Sequence, residues 1–196
     1  MQKRLLPFLS LLLVIWGCGE AGIQSDISKN VAIDPISVSL SVPPIFVGQP
    51  INETPPQQVS TGTIDISDND FSEYLDDAEN FTINKITYSI EGFPNGSQAD
   101  LDLNIDIAIA GGANQDLLQI LVPDAQDNVS DVVLYQNGVP GNVNASAISA
   151  LEQALLNNQT FEMDIEIIGR DVTLQQSNVD FEIIFKFDVT TRVRFD

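Results

Sequence analysis

From residue 179 to residue 195, apolar and polar side chains alternate with a period of two. Val179, Phe181, Ile183, Phe185, Phe187, Val189, Val193 and Phe195 share one parity. Asp180, Glu182, Lys186, Asp188, Arg192 and Arg194 share the other. Successive side chains of a strand point to opposite faces, so this spacing predicts a long strand with one dry and one wet face. Phe161, Met163, Ile165 and Ile167 alternate with Glu162, Asp164 and Glu166 in the same way, and Gly169-Arg170-Asp171 reads as the turn that follows. Leu101, Leu103, Ile105, Ile107 and Ile109 alternate with Asp102, Asn104 and Asp106, up to Gly111-Gly112. Residues 36–42 alternate until Pro43 and Pro44 stop them.

Shorter strands are expected at residues 59–66, 81–90, 117–122 and 132–135, with an edge strand at 45–47. The phase slips between Ile83 and Ile86, which predicts a bulge near Asn84-Lys85. Asn95-Gly96 is a hairpin signal. Ala147, Ile148, Leu151 and Leu155 instead follow a 3.6 period, predicting an amphipathic helix over 145–156 that Asn157-Asn158 can end. A second short helix is expected after Ser67-Asp68-Asn69-Asp70, with Phe71, Tyr74 and Leu75 on one face. Many half-buried strands with frequent turns predict a mainly β fold. The expected form is an antiparallel β-sandwich, or a barrel-like sandwich, with one or two short helices.

The first residues follow another pattern. Lys3 and Arg4 precede an apolar run from Leu5 to Trp16 that ends in Gly17-Cys18. A basic start, an apolar stretch of about a dozen residues and a small residue before a cut describe a secretory signal. The run is shorter than the roughly 20 residues a spanning helix needs. Ile15-Trp16-Gly17-Cys18 resembles the lipobox of bacterial lipoproteins, although Trp16 is bulkier than the residue usual at its place. The resemblance implies a diacylglyceryl group on the Cys18 thiol, cleavage just before it, and membrane attachment through that lipid. It also implies a Gly19 that permits outer-membrane delivery where the enteric sorting rule applies. Cys18 is the only cysteine, so no internal disulfide competes for it. The expected organisation is a signal peptide at 1–17, a lipidated N-terminus with a flexible tether at 18–35, and one sandwich domain at 36–196. In general layout the chain after Cys18 resembles the small β-rich lipoproteins of Gram-negative envelopes.

Charge narrows the partners. The 196 residues carry 28 acids against 8 bases, a formal net charge of −20. Two of those bases, Lys3 and Arg4, lie in the leader. Nucleic-acid binding rests on Lys and Arg meeting phosphate, so nucleic acid is excluded as a partner. There is no histidine, which removes Ser-His-Asp and Cys-His nucleophilic catalysis and imidazole zinc sites.

The abundant acids leave calcium and carboxylate chemistry open. Across residues 65–76, oxygen-bearing side chains fall at the first, third, fifth, ninth and twelfth places: Asp65, Ser67, Asn69, Glu73 and Asp76. That spacing follows a calcium loop, but Asp70 stands where the loop needs Gly. The same residues also suit capping of a short helix. A second acidic loop spans 124–131. Asp100, Asp102, Asn104 and Asp106 open like a third, yet the intervening Leu and Ile mark a strand.

No catalytic residue and no cofactor other than a calcium ion is indicated. The expected function is a lipid-anchored envelope module, non-catalytic, that binds an unknown protein or glycan or serves structurally. A filled core with loops or exposed aromatics at one end is its expected signature. The alternatives are a carrier of a lipid or another apolar ligand, a calcium-binding surface module, and a carboxylate-based enzyme.

Overall fold

The computed structural model describes residues 23–65, 73–125 and 129–195. Cys18, Ser67, Asn69, the start of the second short helix and the middle of the 124–131 loop lie outside the described residues. Among the described residues, ten strands and one α-helix follow in order: β1 (Ile23–Ala32), β2 (Ile36–Ser41), β3 (Ile51–Glu53), β4 (Gln57–Ser60), β5 (Ala78–Glu91), β6 (Gln98–Ile109), β7 (Gln115–Val122), β8 (Val129–Gln136), α1 (Ala145–Leu156), β9 (Phe161–Thr173) and β10 (Asn178–Phe195).

The strands form two sheets. Sheet A runs β1-β10-β5-β8, with β2 also on β10; sheet B runs β3-β9-β6-β7, with β4 also on β9. Every pairing is antiparallel. β1 and β2 share one edge of β10, and β3 and β4 share one edge of β9. Counting each pair as one broken strand gives two four-wide sheets with jelly-roll connectivity, a double Greek key. The β-sandwich is therefore the architecture of this chain.

The core lies between the sheets. Phe185, Ile183, Leu101, Leu103, Ile105, Ile107, Ile165, Ile167 and Val38 are among its buried side chains. Burying each such side chain contributes about 1.5–3 kcal/mol relative to leaving it exposed. Phe93 meets Phe181 edge-on at 5.2 Å, and Phe161 meets Phe187 at 6.5 Å.

Helix α1 spans the residues its periodicity predicts. The Asn144 side chain accepts from the Ser146 amide at 3.0 Å and caps it. Ala147, Ile148, Leu151, Ala154 and Leu155 form its buried face. Beyond the stretch that β8 covers, Glu152 Oε1 accepts from the Ile83 amide at 2.9 Å. The helix thus satisfies an edge of β5 that has no neighbouring strand there among the described residues.

Bulges set the phase of the long strands. Lys85 pairs with Asp188 and Ile83 with Val189, leaving Asn84 as the extra residue expected there. Between Ala32, opposite Lys186, and Ile36, opposite Ile183, one extra residue is accommodated near Asp34-Pro35. It switches the buried parity from Val31 and Ile33 to Ile36, Val38, Leu40 and Val42.

Six expectations need correction. The strand expected at 59–66 ends at Ser60 as β4, and beyond it Ile64 makes only an isolated bridge to Phe161. The flexible tether does not reach Pro35, because residues 23–32 pair with β10 as β1. Its polar composition hid the strand, since β1 is an edge whose side chains are mostly exposed. Residues 45–47 form no edge strand: Pro43 and Pro44 start a 3-10 turn at Pro44–Phe46, closed by the Phe46 amide on the Pro43 carbonyl at 2.8 Å. The described part of the second short helix is a 3-10 turn at Leu75–Asp77.

Asn95-Gly96 does turn the chain, but it carries it from sheet A to sheet B and makes no hairpin. Gly169-Arg170-Asp171 is not a turn, because β9 runs through it to Thr173. Thr54 crosses Gly169 there, its Oγ1 accepting from the Gly169 amide at 2.9 Å. A Cβ at Gly169 would sit 2.9 Å from Val172 Cγ2 and 3.1 Å from Thr54 Oγ1, so only glycine fits. Asp171, at φ 48°, then shifts the phase so that Val172 and Leu174 point inward.

Candidate functional site

The topology gathers four connections at one end of the sandwich. They are β2–β3 (42–50), β5–β6 (92–97), β7–β8 (123–128, described to 125) and β9–β10 (174–177). Hydrogen bonds join them into one surface. The Val42 amide donates to the Ser177 carbonyl at 2.9 Å and the Gly48 amide to the Leu174 carbonyl at 2.8 Å. The Gln175 amide donates to Ser97 Oγ at 3.1 Å, and its Nε2 to the Gly96 carbonyl at 3.0 Å. The Asp124 amide donates to Asp100 Oδ1 at 2.9 Å and the Ala125 amide to the Ala99 carbonyl at 2.8 Å.

A depression of about 290 Å³ lies on this end, lined by residues 93–98, Asp124 and Ala125. Buried Phe93 forms part of its wall, while Asn95, Ser97, Gln98 and Asp124 supply polar groups. On the neighbouring β2–β3 loop, Ile45 is 75% exposed, and Phe46 and Val47 are also exposed. Loops held in register by a packed scaffold are the usual place for binding groups. This end offers apolar contact and hydrogen bonding in a shallow, prearranged form, which suits recognition of a surface.

A second concavity, about 440 Å³, crosses the outer face of sheet A between Asn30, Ala32, Lys85, Thr87, Asp131, Lys186 and Asp188. Its charges are largely answered from within. Lys186 Nζ lies 2.9 Å from Asp131 Oδ1, and Asn84 Nδ2 donates to Asp188 Oδ1 at 3.2 Å. The apolar space beneath α1, lined by Val31, Ile83, Leu151, Phe161 and Phe187 among others, measures about 10 Å³. A cavity for a small ligand measures about 300–1,000 Å³, so this gap is packing space.

The outer face of sheet B carries an acidic row. Asp106 on β6 stands directly opposite Asp116 on β7 and Asp164 on β9. Burial raises the Asp106 pKa, and Asp116, Asp164 and Glu166 raise it further. Asp106 Oδ1 is buried without a hydrogen-bond partner. Nearby, Arg170 answers two other acids, Asp102 at 2.9 Å and Glu53 at 2.8 Å. Two facing carboxylates, one with a raised pKa, are the arrangement an acid–base enzyme needs. Here the pair lies on an open sheet face.

Of the residues singled out for calcium, Asp65, Glu73 and Asp76 are described, on the connection from β4 to β5. Ser67 and Asn69 fall outside the described residues, so the full loop is not on view. Among the described residues, no three acidic or cysteine side chains lie close enough together to hold a metal ion. In the second loop, Asp131 is turned toward Lys186. The opening at Asp100 is strand β6, as the alternation predicts. Sequence reading missed both the loop-end depression and the Asp106 row. The depression joins residues 93–98 to Asp124 and Ala125, and the row joins Asp106 and Asp116 to Asp164 on β9, so only the tertiary arrangement brings them together.

No helix among the described residues is long and apolar enough to cross a membrane. No family model matches the chain. No curated protein matches it. Among solved structures, a chain of Desmodium yellow mottle tymovirus matches at 9% identity and a TM-score of 0.36, covering 90% of this chain and 92% of that one. A chain of mud crab tombus-like virus matches at 9% identity and a TM-score of 0.33, covering 94% of this chain and 97% of that one. A chain of infectious bursal disease virus, Gx strain, matches at 8% identity and a TM-score of 0.26, covering 87% of this chain and 37% of that one.

Proposed function

We propose that this chain is a lipid-anchored envelope lipoprotein whose sandwich is a non-catalytic binding module, with lipid on Cys18 and a protein or glycan partner at the loop end. The anchor reading is supported by Ile15-Trp16-Gly17-Cys18 after a short apolar run. The observation that carries the module reading is the loop end itself. Three connections are hydrogen-bonded to one another and the fourth, at Asp124 and Ala125, to the start of β6, with exposed Ile45 and Phe46 beside a polar depression. The small gap beneath α1 favours this reading over a carrier, which would need room for its ligand.

Two measurements test the two halves. Cells expressing the wild type or Cys18→Ser are labelled with a palmitate analogue and fractionated. The wild type takes the label and sediments with membranes, whereas Cys18→Ser stays unlabelled and unprocessed or is released. Identical behaviour of the two overturns the anchor. For the module, glycan arrays and pull-downs from envelope extract compare the wild type with Ile45→Ser/Phe46→Ser and with Lys85→Ala on the outer face of sheet A. Loss of capture in the loop-end variant alone is the expected result. Equal capture by all three proteins overturns the loop end as the site.

A further inference from the structure

The other end of the sandwich is built differently. The first residue of β1, Ile23, lies opposite the last of β10, Phe195. The pair has the inward-facing parity of sheet A, yet the two side chains are 73% and 42% exposed. Two acids beside them are paired: Arg192 Nε lies 2.8 Å from Asp26 Oδ1, and Arg194 Nη1 lies 3.7 Å from Glu79 Oε1. Asp76 and Asp77 lead into β5 at this same end.

Cys18 precedes Ile23 by only five residues. A chain of that length spans at most about 17 Å. β10, with its 18 residues, runs about 60 Å.

We propose that the Ile23–Phe195 end of the sandwich is seated on the lipid bilayer, with this apolar pair at the boundary between headgroups and acyl chains. The loop end then points away from the membrane. The proposal rests on the lipid at Cys18 and says where the domain sits once that lipid is in place. Three observations support it. The reach from Cys18 is less than a third of the length of the sandwich, so the domain is held close to the surface. The apolar pair lies where the connection to Cys18 enters the fold. Lying on the outer face of sheet B, the domain would bring Asp102, Asp106, Asp116, Asp164 and Glu166 against the bilayer, and anionic headgroups repel such a face.

Trp16 is the only tryptophan and precedes Cys18, so a processed chain has none and an added tryptophan reports alone. Phe195→Trp, Ile23→Trp and Phe46→Trp lipoproteins are purified from membranes and placed in vesicles of phosphatidylethanolamine and phosphatidylglycerol with brominated acyl chains. Strong quenching and a blue-shifted emission are expected at 195 and 23, and neither at 46. With lipid on Cys18 verified by mass spectrometry, equal emission from all three positions, or quenching at 46 alone, overturns the seating and leaves the anchor standing. Absence of lipid on Cys18 overturns the anchor, and the seating with it. Ile23→Trp provides the second reporter should Phe195→Trp fold poorly.

Discussion

On the outer face of sheet B, Asp106 stands between two other carboxylates, with one of its own oxygens buried and unpartnered. Its pKa is raised first by burial and then by Asp116, Asp164 and Glu166. A carboxyl raised in the folded state binds its proton more tightly there than in the unfolded chain. The stability it confers is complete below the unfolded pKa and is lost as pH rises through the folded one. Asp26 works in the opposite sense. Arg192 lowers its pKa, so its contribution is present above the ordinary carboxylate value and is lost as pH falls below it. Asp106→Asn keeps the shape and removes the charge. Like charges directly opposite in a sheet cost roughly 0.2–1 kcal/mol, so this variant should be more stable by that order at neutral pH. It should also lack the stability that protonation of Asp106 is expected to add to the wild type on mild acidification. Urea melts at several pH values check both, and an unchanged pH dependence counts against the role given to Asp106. In the sequence each of these acids is legible only as the wet position of its own strand. Their alignment needs a register that no local pattern supplies.

Strand existence was the most legible feature, because one face of each long strand is buried and alternation records that. β2, β6, β7, β10 and α1 fall close to where periodicity predicts them. A break in that alternation misled at Gly169-Arg170-Asp171. Asp171 is a bulge inside a continuous ladder, and the Asp34-Pro35 step separates β1 from β2 along the same edge of β10; both use residues, Gly, Asp and Pro, that also make turns. β1 was hidden for another reason: it is an edge strand with few buried side chains. Deleting Asp34 should show what the bulge does. Either Val31 and Ile33 or the four apolar residues of 36–42 must then turn outward. Exposing the smaller set costs about 3–6 kcal/mol, a large part of the roughly 5–15 kcal/mol that holds a typical domain folded. The expected outcome is a urea midpoint far below that of the wild type, while Asp34→Ala, which keeps the residue count, stays close to it. Equal midpoints for the deletion and the substitution would contradict the phase-setting role.

The whole molecule carries 28 acids against 8 bases. The six bases after Cys18 are spent mainly on local pairs, such as Arg170 with Asp102 and Glu53, Lys186 with Asp131, and Arg192 with Asp26. The remaining acids repel one another, and this self-repulsion opposes the compact state. Moving from low salt to about 0.15 M shortens the screening length to about 8 Å. The melting temperature should therefore rise over that range, and a fall would mean that the ion pairs outweigh the repulsion. The strand order has a consequence in time as well. β9 and β10, the ninth and tenth strands along the chain, are interior strands of the two sheets, each holding neighbours on both sides. Until residues 161–195 exist, β1 and β2 have no partner strand, and neither do β3 and β4. In a chain that emerges N-terminus first, β5 can meet β8 and β6 can meet β7 early, yet neither sheet is complete until nearly all of it has emerged. Completing sheet A then needs contacts between its most distant parts, β1 and β2 with β10, and such long-range pairing is slow. The sandwich is in this sense a fold that its last two strands complete.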